Sequence, residues 1–221
     1  MKKRSLSGNI GVGVFIIGLV CVCVAFCTSS WLVSDSRLSG ATLESLGIWT
    51  HCFRSLPDPS RRDDPKRYFV GCRWVFDKFT AGYSDIKGFL FPPFMIVTEF
   101  FFTLCLLSVL ISFGLISLFT QCCDPEQKKY VKLIQVIGYT LLFGGVCGCI
   151  ALIVFASFGN TEGWMPGQKN NFFGWSFVVG IIGSVMTLIA ASLFLVEANI
   201  QEKKRKYLKE SQTRFQMESR T

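Results

Sequence analysis

The chain is 221 residues long and half apolar, with 22 Phe and a single His, a composition far from the soluble average. Lys and Arg exceed Asp and Glu by eight, a surplus that could suit nucleic acid, but acid-binding proteins do not carry several uninterrupted apolar runs of bilayer length. No nucleic-acid partner is therefore expected, and the lipid bilayer becomes the first one.

Residues 1–9 form a short basic segment with Lys2, Lys3 and Arg4, and an apolar run follows over residues 10–30. About 20 predominantly apolar residues suffice to cross a hydrocarbon core. A signal peptide would have a shorter apolar stretch of about 7–15 residues and a small-residue cleavage site; this run has neither and is expected to stay in the protein. The mixed segment 31–93 comes next, then apolar runs over 94–119, 131–158 and 173–197, the last fading at about Val196. They are joined by residues 120–130 and 159–172, and a charged tail covers 198–221. Runs this long and without alternation satisfy their backbone in lipid as helices rather than as barrel strands. The expected fold is a membrane all-α four-helix transmembrane bundle with a small antiparallel β-sheet formed mainly by the first loop.

Within that first loop Tyr68, Val70, Cys72, Trp74 and Phe76 alternate with Phe69, Gly71, Arg73 and Val75, the period of a strand. Leu46, Ile48 and the Thr50 to Phe53 stretch offer a second strand, and Trp31 to Val33 a third. The insert from Pro57 to Pro65 is rich in Pro and Asp and reads as an exposed turn-rich loop. Its charges, Arg61, Arg62, Lys66 and Arg67 interleaved with Asp58, Asp63 and Asp64, are candidates for contact with ions or partners, or else a solvated loop paired with itself.

Positive charge near span ends marks the cytoplasmic side. Lys2, Lys3 and Arg4, then Lys128, Lys129 and Lys132, then Lys203 to Lys206 all fall on one side of a four-span chain. Both termini are expected in the cytoplasm and residues 31–93 outside, in the plasma membrane. On that topology only Cys52 and Cys72 of ten cysteines meet an oxidising exterior, and two cysteines permit one pairing. A Cys52–Cys72 disulfide is therefore expected. The span cysteines read as small packing residues, and the juxtamembrane Cys122 and Cys123 as candidates for reversible palmitoylation. His51 has no Cys/His cluster at ligand spacing around it, so no metal or other cofactor is expected.

Trp31, then Leu46-Gly47-Ile48-Trp49, then Cys52 and Cys72, after one span and before three more, resemble the signature of the claudin and peripheral-myelin-protein tetraspans: a Trp, a Gly-Leu-Trp element and two cysteines. Ile48 stands where that family usually has Leu, and the interval between the cysteines is longer than in vertebrate claudins. The wider interval is similar to that of the insect claudin-like proteins of septate junctions, the Pasiflora type. The resemblance implies a left-handed four-helix bundle under a five-stranded sheet, one strand coming from the second loop. It also implies self-association, association with other claudin-like or junction proteins, and a barrier between epithelial cells at lateral junctions. The alternative is an accessory subunit of a channel or receptor, as in the calcium-channel gamma-type tetraspans. An enzyme acting on a small-molecule substrate would need convergent polar groups at a shared depth, and none is legible.

Glu99 is read as the one acidic residue inside a span, a functional candidate by default that could equally cap or bond a neighbouring helix. Glycines at 138, 144, 145 and 148, with 180 and 183, suit close helix approach. Trp164, Trp175 and Tyr83 read as interfacial anchors, whereas Trp31 and Trp49 are expected to pin the sheet to the bundle.

Overall fold

The computed structural model of the chain describes residues 6–35, 41–57, 68–76, 87–121, 128–162, 164–165 and 167–218. The helices are α1 (Leu6–Cys27), a single turn α2 (Lys87–Leu90), α3 (Pro93–Gln121), α4 (Lys128–Phe158) and α5 (Trp175–Glu218). All but α2 are long and apolar enough to cross a membrane. Pro93 opens α3, where a missing N–H and a fixed φ cost nothing. Around the bundle large apolar side chains face outward, among them Ile17, Phe100, Phe143, Ile153 and Val178. In water that arrangement would be unfavourable; against acyl chains it is the expected one.

The helices pack α1 on α5, α5 on α4 and α4 on α3. The α4–α5 contact uses the small residues expected of it. A Cβ on Gly145 would lie 2.6 Å from Leu188, and one on Gly148 2.4 Å from the Ser184 hydroxyl. At one end the bundle carries a five-stranded antiparallel sheet of order β4-β3-β2-β1-β5. Its strands are β1 (Leu32–Ser34), β2 (Leu43–Leu46), β3 (Thr50–Pro57), β4 (Tyr68–Trp74) and β5 (Asn171–Phe173), the last contributed by the second loop.

Three details differ from the sequence expectation. Leu46 and the Thr50 to Phe53 stretch belong to two antiparallel strands rather than one, because the chain reverses at Gly47-Ile48-Trp49, where the Gly47 N–H donates to the Thr50 carbonyl at 2.8 Å. Phe173 ends β5 instead of opening the fourth span: the Gly174 N–H is taken by the Trp31 carbonyl at 2.9 Å, and the helix starts one residue later. Trp164 is buried rather than interfacial, its ring 4.8 Å from Phe94. Trp175 is exposed at the start of α5, and Tyr83 lies outside the described residues.

Candidate functional site

The chain leaves α1 through Thr28, Ser29 and Ser30 and arrives at Trp31, whose side chain is 0 % exposed. Its indole Nε1–H donates to the Ala25 carbonyl of α1 at 2.7 Å. Its ring stands edge-on to Phe102 of α3, Phe155 of α4 and Phe177 of α5, with centroids 5.0, 5.2 and 5.6 Å away. Edge-to-face packing of this kind adds to the burial of a large apolar surface. One side chain thus touches all four long helices. Its backbone meanwhile holds the sheet: the Trp31 N–H donates to Leu46 of β2 at 2.8 Å, and its carbonyl accepts from Gly174 beside β5.

The turn after β2 closes on the same place. A Cβ on Gly47 would sit 2.6 Å from the Thr28 carbonyl oxygen and 2.7 Å from Ser29 Cα, so only Gly lets the turn press against the exit from α1. Ile48 is fully buried. Trp49 stacks obliquely with Phe26 of α1 at 5.9 Å and with Phe76 at 5.8 Å. Cys52 and Cys72 face one another across β3 and β4 and form a disulfide, with Cα atoms 3.9 Å apart. The bridge spans 20 positions of sequence, a constraint on the unfolded chain of roughly 3 kcal/mol in the loop-entropy model.

His51, next to the bridge, is buried with its ring parallel to Phe53 at 6.3 Å and edge-on to Phe91 at 6.2 Å. Among the described residues neither ring nitrogen has a hydrogen-bond partner. Burial pushes its pKa down to about 4, because an imidazolium there would be desolvated without compensation. The sequence marked this residue only as a non-ligand; its burial follows from the sheet's underside resting on aromatic rings, which no local pattern reveals.

Beyond the bridge, β4 is the last strand of the sheet, paired among the described residues with β3 only. Phe69 and Val75 point into the core, whereas Tyr68, Val70 and Trp74, with Phe76 just past the strand, are exposed. The sheet therefore offers an outer strand with an apolar face, fixed to β3 by the disulfide and braced at its end by Trp49.

Glu99 stands apart from this assembly. It is buried in α3 with its Oε1 unpartnered among the described residues. A second buried carboxylate, Glu197 of α5, is 0 % exposed, although hydropathy places it at the very end of a span. It accepts a hydrogen bond from the Ser7 hydroxyl of α1, and its Oε1 accepts from Gln201 at 2.7 Å. Gly8 of α1 lies alongside, where even a Cβ would make only an ordinary contact, 3.4 Å from the Glu197 carboxyl carbon. Arg61, Arg62, Lys66 and Arg67 lie outside the described residues, as do Cys122 and Cys123. Among the described residues no three His, Cys, Asp or Glu side chains gather where a metal ion could be held.

A family model described as PMP-22/EMP/MP20/Claudin tight junction matches residues 16–196. The chain belongs to this claudin family. The matched stretch takes in Trp31, the Gly47-Ile48-Trp49 turn, Cys52, Cys72 and all five strands. In this claudin-family chain the signature residues lie close together: Trp31 and Gly47 close the joint between helices and sheet, Trp49 braces it, and the two cysteines lock its last two strands. No curated protein matches the chain.

Proposed function

We propose that this claudin-family protein lies in the plasma membrane with both termini in the cytoplasm and its sheet outside. There it assembles side by side and across the intercellular gap into a paracellular barrier of the septate-junction type. It acts by association rather than by catalysis. The observation that carries this reading is the outer strand β4. An unprotected edge strand is a template for pairing with another chain, and here it sits on a support too rigid to fold away. Its exposed Tyr68 and Val70 add apolar area to such a contact. Rows joined in this manner would impede solute movement between cells.

Arg61, Arg62, Lys66 and Arg67 on the β3–β4 connection would then tune which ions leak past. Acylation of Cys122 and Cys123 would hold the cytoplasmic connection at the bilayer. Basic residues at both termini and between the second and third spans support the orientation. An epitope inserted near Ser60 is expected to be reachable on intact cells. The decisive experiment is tracer flux across an epithelium lacking the chain. Increased leak with interrupted lateral strands is the expected result, and unchanged leak with intact junctions would remove the barrier reading.

A further inference from the structure

The geometry points to a second use of β4: its bundle-proximal end, Trp74 with Phe76, forms an aromatic anchor that seats the sheet in the headgroup-to-acyl boundary of the lipid leaflet at that end. Trp74 is 57 % exposed and Phe76 44 % exposed, although each carries a large apolar ring. The two rings meet edge-on at 5.1 Å, which makes one patch rather than two scattered side chains.

Ring contacts fix the depth of this patch. Phe76 lies 5.8 Å from Trp49, and Trp49 lies 5.9 Å from Phe26 in the last turn of α1. On its other side Phe76 is 6.4 Å from Phe91, two residues ahead of the Pro93 that opens α3. The Val75 N–H, between the two exposed rings, donates to the Trp49 carbonyl at 3.0 Å. Trp74 and Phe76 therefore sit level with the points at which two spans begin or end.

That level is where the amphipathic ring of a Trp partitions best, with the wholly apolar ring of Phe76 on its acyl side. Phe91 leads directly into α3, whose first turns expose Ile96 and Phe100, so the patch continues the surface already turned to lipid. The far end of the strand behaves differently. Tyr68 is six residues further along, about 20 Å at the rise of a strand, and lies beyond the reach of the boundary when the strand leads away from the bundle. A strand seated in lipid at one end and held by a disulfide in its middle presents only its far end to a neighbour. The inference needs only that the four helices span a bilayer, and is independent of orientation and of junctional assembly.

The full-length chain, labelled with 5-fluorotryptophan and placed one copy per phosphatidylcholine nanodisc, tests it by fluorine NMR. Trp74→Phe, or Trp74→Tyr if the first variant folds poorly, assigns the resonance among five tryptophans. Phosphatidylcholine carrying a nitroxide high on its acyl chain should broaden the Trp74 line as strongly as that of Trp175. A soluble gadolinium chelate should leave it sharp, and Trp31 should respond to neither. Broadening of Trp74 by the chelate but not by the lipid nitroxide would overturn the anchor, and so would silence towards both probes, which would mean cover by protein.

Discussion

The two ends of the bundle hold α1 against α5 by different dominant means, with one hydroxyl pair, Thr28 to Ser176 at 2.7 Å, also at the sheet end. At the sheet end the joint is aromatic: Trp31 enters a cage of Phe102, Phe155 and Phe177 and spends its one polar atom on Ala25. At the other end it is polar: Ser7 and Gln201 donate to the buried carboxylate of Glu197. An apolar joint derives its strength from area and shape, so it is damaged by losing volume. A polar joint depends on each partner being present, because a buried acceptor stripped of its donor keeps its desolvation cost. The contrast also divides labour, since the aromatic end must orient a sheet whereas the polar end only has to keep two helices in register.

Trp31→Ala attacks the aromatic end with the largest expected effect. It removes contacts with four helices and leaves a cavity, a change expected to cost about 3–5 kcal/mol and to release the sheet from the bundle. Unfolding in detergent micelles should show the loss as a fall in midpoint, with Trp49→Ala, a half-buried ring, costing less. Equal losses from the two would mean that the joint is spread evenly and has no central residue.

A second prediction concerns pH. The folded sheet holds His51 neutral down to about 4, while in the unfolded loop the ring takes a proton near its ordinary value of about 6.5. Between those values the unfolded state binds more protons, so stability of the sheet falls as pH drops through that window. The loss should approach roughly 3 kcal/mol by the lower limit. Hydrogen exchange of the β3 amides at pH 7 and pH 5 should reveal it, and His51→Phe should flatten the difference. The helices, including the polar joint, should be much less affected.

The smallest effect belongs to the other end. Glu197→Ala removes an acceptor of the Ser7 hydroxyl and empties space in the α1–α5 contact, at an expected cost of about 1–2 kcal/mol. Glu197→Gln keeps an acceptor for Ser7 and should cost less. Measured by the same unfolding assay, a loss from Glu197→Ala larger than that from Trp31→Ala would reverse the ranking of the two ends.

The parts legible in the sequence were those that depend on composition over a long window. Four apolar runs of bilayer length left little choice but helices, and two cysteines in one long loop left a single pairing, the one observed. Alternation from Tyr68 to Phe76 separated the inward Phe69 and Val75 from the exposed ring-bearing face. What stayed hidden were close approaches between distant segments. The turn at Gly47 sits inside an apolar run that looks like unbroken strand, and only the Thr28 carbonyl 2.6 Å from its missing Cβ explains it. Phe173 reads as helix by hydropathy until Trp31 claims the next amide. Glu197 marks where apolar content runs out, which is also what an ordinary end of a span looks like, so its burial against Ser7 left no local trace.

On the proposed function, the bundle and the Cys52–Cys72 disulfide hold β4 out as a surface for contact between copies. Val70→Cys places a thiol on its exposed face, and full-length chains carrying it in contacting epithelial cells can be treated with a short bis-maleimide. On that function a covalent dimer is expected that is absent from the unsubstituted chain, whose other thiols supply the background. Monomers alone, in membranes where Val70→Cys reacts fully with a monofunctional maleimide, would contradict it.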